Sequence, residues 1–169
     1  MNVKKMAFYA LAVAIGLTLS YVELLIPVNL GVPGAKIGLP NIMTILMLYV
    51  FGAAPAFYTA ALRIVLSGFM YGNLFSIVYS FAGLIMSLAA MALMKRTGRF
   101  GILGVSSVGG VMHNLGQLVV AALLTNAYVF TYFPVLVFCG VIAGILTGTA
   151  GGLITGRISV FLRKTLNEM

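Results

Sequence analysis

Residues 101–125 read GILGVSSVGGVMHNLGQLVVAALLT, and this stretch contains no charged side chain. The absence of charge continues to residue 156. A helix needs about 20 apolar residues to cross the hydrocarbon core of a bilayer, so the stretch is long enough for one span. It also holds the chain's single histidine, His113, next to Asn114 and one helical turn before Gln117. The stretch therefore predicts a membrane helix that carries a polar face.

The composition extends this conclusion to the whole chain. Of its 169 residues, 62% are hydrophobic and 7% are charged, whereas roughly a quarter of the residues of a soluble domain are charged. The bilayer must therefore be the solvent for most of the surface. The net charge of +8 does not predict nucleic-acid binding, because the basic residues lie at the ends of apolar runs. The N-terminal MNVKK and the apolar run after it lack a cleavage site, which favours a retained first helix.

Six apolar segments can be placed across the membrane. We predict an all-α bundle of six transmembrane helices within a single integral membrane domain, residues 1–169. The second segment is short for a span. The predicted helices cover residues 6–26, 38–52, 54–71, 73–94, 101–125 and 132–158.

The basic residues predict the orientation of this bundle. With six spans, eight of the ten fall on one side, which the positive-inside rule assigns to the cytoplasm together with both termini. Lys36 alone lies on the opposite side, and Arg63 lies within a span. We expect a multi-pass protein of the bacterial cytoplasmic membrane. The eight residues are Lys4, Lys5, Lys95, Arg96, Arg99, Arg157, Arg163 and Lys164.

The acidic residues are too few for metal-dependent transfer chemistry. The chain has no aspartate and only two glutamates, Glu23 and Glu168. Phosphoryl or prenyl transfer with Mg²⁺ needs clustered carboxylates to hold the metal. The sequence also lacks a GxxxxGK[ST] phosphate loop. We therefore expect no enzyme activity, no metal site and no cofactor.

The polar residues collect in the half of the bundle opposite the basic residues, and this predicts a pocket there. His113 and Gln117 share a helical stripe with Ser106 and Gly110. Such side chains either bond helices together, at about 0.6 kcal/mol each, or line a ligand site. The predicted substrate-binding residues are Lys36, Asn41, Arg63, Asn73, His113, Asn114 and Gln117.

Arg63 needs a specific explanation, because an arginine at the centre of a span costs roughly 2.5–3.5 kcal/mol on insertion scales. Glu23 is the only acid within a span, so an ion pair between Glu23 and Arg63 is one explanation. The other is that Arg63 holds an anionic group of a ligand. Both can apply in turn, if ligand replaces the carboxylate.

Small residues four positions apart predict close helix packing. Helix 6 carries glycines at positions 140, 144, 148, 152 and 156, and packing within the bundle is the default explanation. Ala10 and Ala14 of helix 1 form a shorter patch that is open to a partner protein.

Three stretches, PGAKIGLPNIMTILMLYVFG (33–52), LRIVLSGFMYGN (62–73) and GVSSVGGVMHNLGQLVVA (104–121), resemble the Gx transporter family, often labelled heptaprenyl diphosphate synthase component I. The KxGLxN and HNxxQ patterns are fairly specific to it. The family is similar to the substrate-binding S components of energy-coupling-factor (ECF) transporters. This resemblance implies an S-component-like bundle whose pocket is closed by the first loop. It also implies that Ala10 and Ala14 dock a transmembrane coupling subunit that works with two ATPase subunits.

Two functions remain open from the sequence. The first is the substrate-binding subunit of an ECF-type uptake transporter for a small vitamin-like or cofactor-like molecule. The second is a non-transporting membrane component that binds a quinone, flavin or isoprenoid in electron transfer or isoprenoid metabolism. Both involve a small-molecule ligand and the lipid bilayer, and neither involves nucleic acid.

Overall fold

The computed structural model describes residues 3–26 and 38–167, with side chains up to residue 159. These residues form six α-helices and one short 3₁₀ helix, Ala127–Tyr132. The described part of the chain contains no strand. The α-helices are α1 (Val3–Leu25), α2 (Asn41–Val50), α3 (Ala53–Tyr71), α4 (Leu74–Thr97), α5 (Ile102–Leu124) and α6 (Phe133–Asn167).

Five helices in the described residues are long and apolar enough to cross a membrane, namely α1, α3, α4, α5 and α6. The chain is therefore a multi-pass membrane protein. The predicted all-helical bundle is confirmed to this extent. The sixth span and the orientation in the membrane stay predictions.

The second helix is shorter than predicted. A helix was expected over residues 38–52, but α2 has 10 residues, which is about 15 Å of helix against a hydrocarbon core of about 30 Å. It begins after a turn in which the Asn41 N–H donates to the Gly38 carbonyl at 2.9 Å. It ends before Gly52, whose φ of +98° favours glycine. Every residue from Met43 to Leu48 is buried, so neighbouring helices rather than lipid surround α2.

Contacts at its two ends show that α2 runs antiparallel to α1. Phe51, just after α2, packs its ring against Phe8 and Tyr9 near the start of α1, with centroids 5.6 and 5.2 Å apart. At the other end, the Gly38 N–H donates to the Glu23 carboxylate near the end of α1. The alternation of helix directions that six spans require is therefore kept, although α2 is short.

The basic residues Lys4, Lys5 and Lys95 lie at one end of the bundle. Lys95, near the end of α4, donates from Nζ to the Leu48 carbonyl of α2 at 2.6 Å. Its Nζ also lies 4.8 Å from the centroid of the Tyr49 ring. This places the end of α4 beside the start of α1, which carries Lys4 and Lys5. We call this the basic end and the opposite one the cavity end.

The half of the bundle nearest the basic end, the packed half, contains the apolar core. Four consecutive side chains of α2, residues 45–48, are at most 2% exposed. They pack with side chains from α3, α4 and α5 in one cluster. The other members of that cluster include Ile64, Leu84, Leu88, Met91 and Val105.

Glycines hold α6 against α5, as the sequence predicted. A Cβ atom on Gly144 would lie 2.5 Å from the Ser106 carbonyl oxygen, and one on Gly140 would lie 2.8 Å from the Val111 Cα. Both distances are shorter than non-bonded contacts allow, so the two backbones meet directly. Gly148 and Gly152 also face α5, whereas Gly156 has no neighbour within 4 Å. A hydrogen bond of 3.1 Å between the Ser106 and Thr147 hydroxyls joins the same two helices.

Candidate functional site

A cavity of about 400 Å³ lies at the cavity end of the bundle. All six α-helices contribute to its wall. This volume falls within the range of about 300–1,000 Å³ that is usual for small-molecule sites. The polar or charged lining residues are Ser20, Glu23, Asn41, Arg63, Ser67, Tyr71, Ser76, Ser80, His113, Asn114 and Gln117.

The side chain of Arg63 passes over Gly16 of α1 to reach the cavity. A Cβ atom on Gly16 would lie 2.9 Å from the Arg63 Cδ, so the arginine stem lies directly over this glycine. The Arg63 Nη1 donates to the Ser20 Oγ at 3.0 Å, and that hydroxyl donates to the Gly16 carbonyl at 2.9 Å. Within the described residues, Arg63 Nε is buried and has no hydrogen-bond partner. One guanidinium edge is therefore held by the protein, and a donor on the other side is unused.

Glu23 lines the same cavity, but its carboxylate accepts a hydrogen bond from the Gly38 N–H. Glu23 and Arg63 thus face one cavity while each is bonded to another partner. Their opposite charges still interact, and the predicted ion pair stays a prediction. Tyr71 closes the same side of the cavity, because its hydroxyl donates to the Leu17 carbonyl of α1 at 3.0 Å.

The HNxxQ stretch of α5 divides its side chains between helix packing and the cavity. Asn114 lines the cavity, but its amide nitrogen donates to the Leu136 carbonyl of α6 at 2.8 Å. His113 packs against α4, where a Cβ atom on Gly83 would lie within 2.7 Å of the imidazole. Gln117 is 4% exposed and lines the cavity. The sequence left a choice between packing and binding, and the structure gives packing contacts to His113 and Asn114 and a cavity position to all three residues.

Asn73 has a structural role instead of a place in the cavity wall. Its Oδ1 accepts from the Ser76 N–H at 2.8 Å, and its own N–H donates to the Ser76 Oγ at 3.0 Å. This reciprocal pair is a capping box at the start of α4. Asn73 is exposed and is not part of the cavity lining.

The remaining predicted residues lie at other places. Asn41 starts α2 and lines the cavity, and it also borders a smaller space of about 20 Å³ between α2, α4, α5 and α6. Lys36 lies outside the described residues. Ala10 and Ala14 are exposed on α1, on the outer surface of the bundle and away from the cavity.

Several residues that build this cavity are not among the predicted substrate-binding residues. Ser20 and Gly16 position the arginine, and Ser67, Tyr71, Ser76 and Ser80 complete the wall. A signal for them exists in the spacing. Residues 16, 20 and 23 of α1, residues 63, 67 and 71 of α3, and residues 76 and 80 of α4 each follow steps of three or four, which place them on one helical face.

A family model described as heptaprenyl diphosphate synthase component I matches residues 12–154. The match covers most of the chain and all of the residues that line the cavity. It confirms the resemblance seen in the sequence motifs. No curated protein and no solved structure matches the chain.

Proposed function

Since the chain belongs to the family described as heptaprenyl diphosphate synthase component I, we propose that it is a membrane-embedded binding subunit of that family. Its task is to capture a small vitamin-like or cofactor-like molecule for uptake, as the S component of an ECF-type transporter does. The coupling subunit and the two ATPases are separate chains. The membrane is the bacterial cytoplasmic membrane, with the basic end facing the cytoplasm.

The observation that carries this proposal is the cavity itself. A tightly packed bundle needs no space of about 400 Å³, and polar side chains within a membrane are costly unless they have a use. Here they converge from five helices on one space at the cavity end. A binding site that faces away from the cytoplasm is what an uptake system requires.

Catalysis of prenyl transfer, which the family's description suggests, is not the activity that we propose. The substrate of such a reaction carries a diphosphate, which is held by Mg²⁺ on clustered carboxylates. The whole chain has two glutamates and no aspartate. Among the described residues, Glu23 is the single carboxylate in the cavity wall, so this chain would need another protein to supply a metal site.

The surface of α1 offers a place for the coupling subunit. Ala10 and Ala14 are exposed one turn apart, and small residues at this spacing let another helix approach closely. The test is co-purification of the chain with the coupling subunit and ATPases from its host, together with uptake by cells. We expect Ala10→Leu with Ala14→Leu to abolish both.

The matched control is Ala89→Leu, which enlarges an exposed alanine on α4. We expect it to leave complex formation and uptake unchanged. If the α1 double variant still forms the complex and supports uptake, docking through α1 is wrong. If the wild-type chain never associates with an ATPase module, the transport function is wrong.

The family's description also fits a second function. A non-transporting component that binds a quinone, flavin or isoprenoid would fit the isoprenoid chemistry named there. Such a component would retain its ligand and act without ATPase partners. Activity of the host pathway in cells that lack every coupling subunit would favour this second function over uptake.

A further inference from the structure

We propose that the cavity selects a compact molecule with two features, an acidic group bound beside Arg63 and an amide-like edge bound by Gln117. The acidic group is a carboxylate or a phosphate. This inference rests on the proposed binding function and names the chemical class of the ligand. It excludes quinones and isoprenoid chains as the main occupant.

The hydrogen bonds of Arg63 within the protein leave it able to bind an anion. A guanidinium has five N–H donors in a rigid fork that matches carboxylate and phosphate oxygens. Ser20 takes one donor on Nη1, and its hydroxyl is fixed in turn by the Gly16 carbonyl. Nε remains buried and without a partner in the described residues. Among the described residues, Glu23 interacts electrostatically with Arg63, but its carboxylate is hydrogen-bonded to Gly38 instead of to the guanidinium.

The glutamine supplies the second, independent observation. Gln117 is 4% exposed and lines the cavity, yet no hydrogen bond to its amide is found within the described residues. Because this amide borders the cavity, a ligand there can form hydrogen bonds with it. A carboxamide offers one acceptor and two donors, so its complement is an edge that presents a donor beside an acceptor. Cyclic amides, ureides and many nitrogen heterocycles carry such an edge.

The size and the position of these groups exclude a long apolar chain. Arg63 belongs to α3, which packs against α1, whereas Gln117 belongs to α5, which packs against α4. The two groups therefore contact the ligand from different walls of one cavity of about 400 Å³. A prenyl chain in this space would leave Arg63 Nε and the Gln117 amide without hydrogen bonds, which is costly for polar groups inside a protein.

The charge of the cavity can be measured without knowing the ligand. Ser67 lies one helical turn from Arg63 on the same face of α3, and it lines the cavity. In a Cys139→Ala background, Ser67→Cys is treated with two methanethiosulfonate reagents of similar size, one bearing a sulfonate and one a trimethylammonium group. At a separation of about 6 Å, a single charge changes the ratio of the two rates by about tenfold even in water-like surroundings.

We expect Arg63→Gln to lower the ratio of sulfonate to trimethylammonium labelling by about that factor, and Arg63→Lys to preserve it. Glu23 is present in all variants, so its charge cancels in the comparison. Should Arg63→Gln not fold, the reference is Asn126→Cys, an exposed site outside the cavity. A ratio at Ser67→Cys no higher than at Asn126→Cys, or a ratio that Arg63→Gln does not change, would overturn the anion site.

A second experiment identifies the small molecules that the purified protein retains. Full-length protein purified in nanodiscs is denatured in solvent, and the released molecules are identified by accurate mass, by methylation of carboxyl groups and by phosphorus content. We expect an acid whose occupancy falls at least tenfold in Arg63→Gln and in Gln117→Leu but not in Asn126→Leu. Phosphorus content distinguishes a phosphate from a carboxylate. A quinone or isoprenoid retained equally by all variants would contradict the inference.

The two proposals fail in different ways. If the chain never associates with an ATPase module but the labelling ratio depends on Arg63, transport is wrong and the anion site stands. If uptake and complex formation are confirmed but the ratio is independent of Arg63, the binding subunit is right and its ligand is not an acid.

Discussion

The packed half and the half that contains the cavity, which we call the cavity half, hold their helices together in different ways. In a bilayer, apolar side chains gain little by leaving lipid for one another, so helices associate through close packing and through hydrogen bonds. The packed half uses glycines to bring α5 and α6 into backbone contact. The cavity half also has direct helix contacts, such as Gly116 of α5 against the Ala82 carbonyl of α4. Its helices nevertheless leave a space between them that is lined by serines, an arginine, a glutamate and three amides.

Helix α5 belongs to both halves and shows where the change occurs. Val105, Ser106 and Gly109 near its start are buried against neighbouring helices. Two to three turns later, His113 and Gln117 border the cavity. The two halves should therefore respond differently to mutation. Added volume should damage the packed half, whereas lost polarity should damage binding in the cavity half.

The largest effect is expected from Gly144→Ala. The added Cβ would lie 2.5 Å from the Ser106 carbonyl oxygen and equally close to the Ser107 Cα. Overpacking costs typically 1–3 kcal/mol, and we expect about 3 kcal/mol here because the atoms it would meet are backbone atoms of α5, which cannot rotate aside. Thermal unfolding in detergent measures the loss. Gly156→Ala in the same helix is the control, since it meets no atom within 4 Å; equal Tm values for the two variants would contradict direct α5–α6 contact.

Lys95→Met should give the next largest effect. It removes the hydrogen bond from Nζ to the Leu48 carbonyl and the contact with the Tyr49 ring, both of which fasten the end of α2. Hydrogen bonds to charged groups contribute about 1.5–3 kcal/mol, so we expect a loss of about 2 kcal/mol in the same unfolding assay. The exposed neighbour Arg96 provides the control Arg96→Met, and an equally large loss there would mean that α2 is held by other contacts.

Gln117→Leu should have a smaller effect of the opposite sign. In the ligand-free protein it replaces a cavity-lining amide, which has no hydrogen bond within the described residues, with an apolar side chain of similar volume. We expect a gain of about 1 kcal/mol in stability together with loss of ligand binding. Unfolding and ligand retention are measured on the same preparation. A variant that is both less stable and unable to bind would show that Gln117 mainly supports packing.

The smallest effect is expected from Asn73→Ala. Loss of an exposed N-cap costs about 0.5–1 kcal/mol, and Asn73→Asp should restore most of it because a carboxylate also accepts from the Ser76 N–H. Since Asn73 lies outside the cavity lining, ligand retention should stay at the wild-type level. Loss of the ligand in both variants would return Asn73 to the binding site.

Much of the fold could be predicted from the sequence, because long apolar runs separated by glycine, proline and charge have few alternatives in a membrane. The helix ends were less predictable. We ended the fourth helix at Met94, before the first charge, but α4 continues through Lys95 to Thr97 and ends at Gly98 with a φ of +66°. The charge did not stop the helix, because Lys95 has the end of α2 to bind. Such a partner belongs to another segment and leaves no mark in the local sequence.

The candidate site could be predicted in part. The conspicuous residues, Arg63 and the HNxxQ stretch, do face one cavity. Ser20 and Gly16 were missed because serine and glycine are common in membrane helices and their use depends on what packs over them. The sequence predicts Asn73 in the site because it places the residue at the membrane depth of the other polar residues. Its side chain is instead hydrogen-bonded in the capping box. Depth follows from the sequence, but the direction of a side chain follows from the packing.

The shortness of α2 has a consequence for how the protein is made. A segment of 10 residues cannot settle across the lipid by itself when it leaves the ribosome. Its buried surface is completed by α1, α3 and α6, and Gly151 of α6, the partner of Ile45, is synthesised about 100 residues later. The helix α2 can therefore reach its final packed position only after α6 has been synthesised. We expect chains that are truncated before α6 to be degraded.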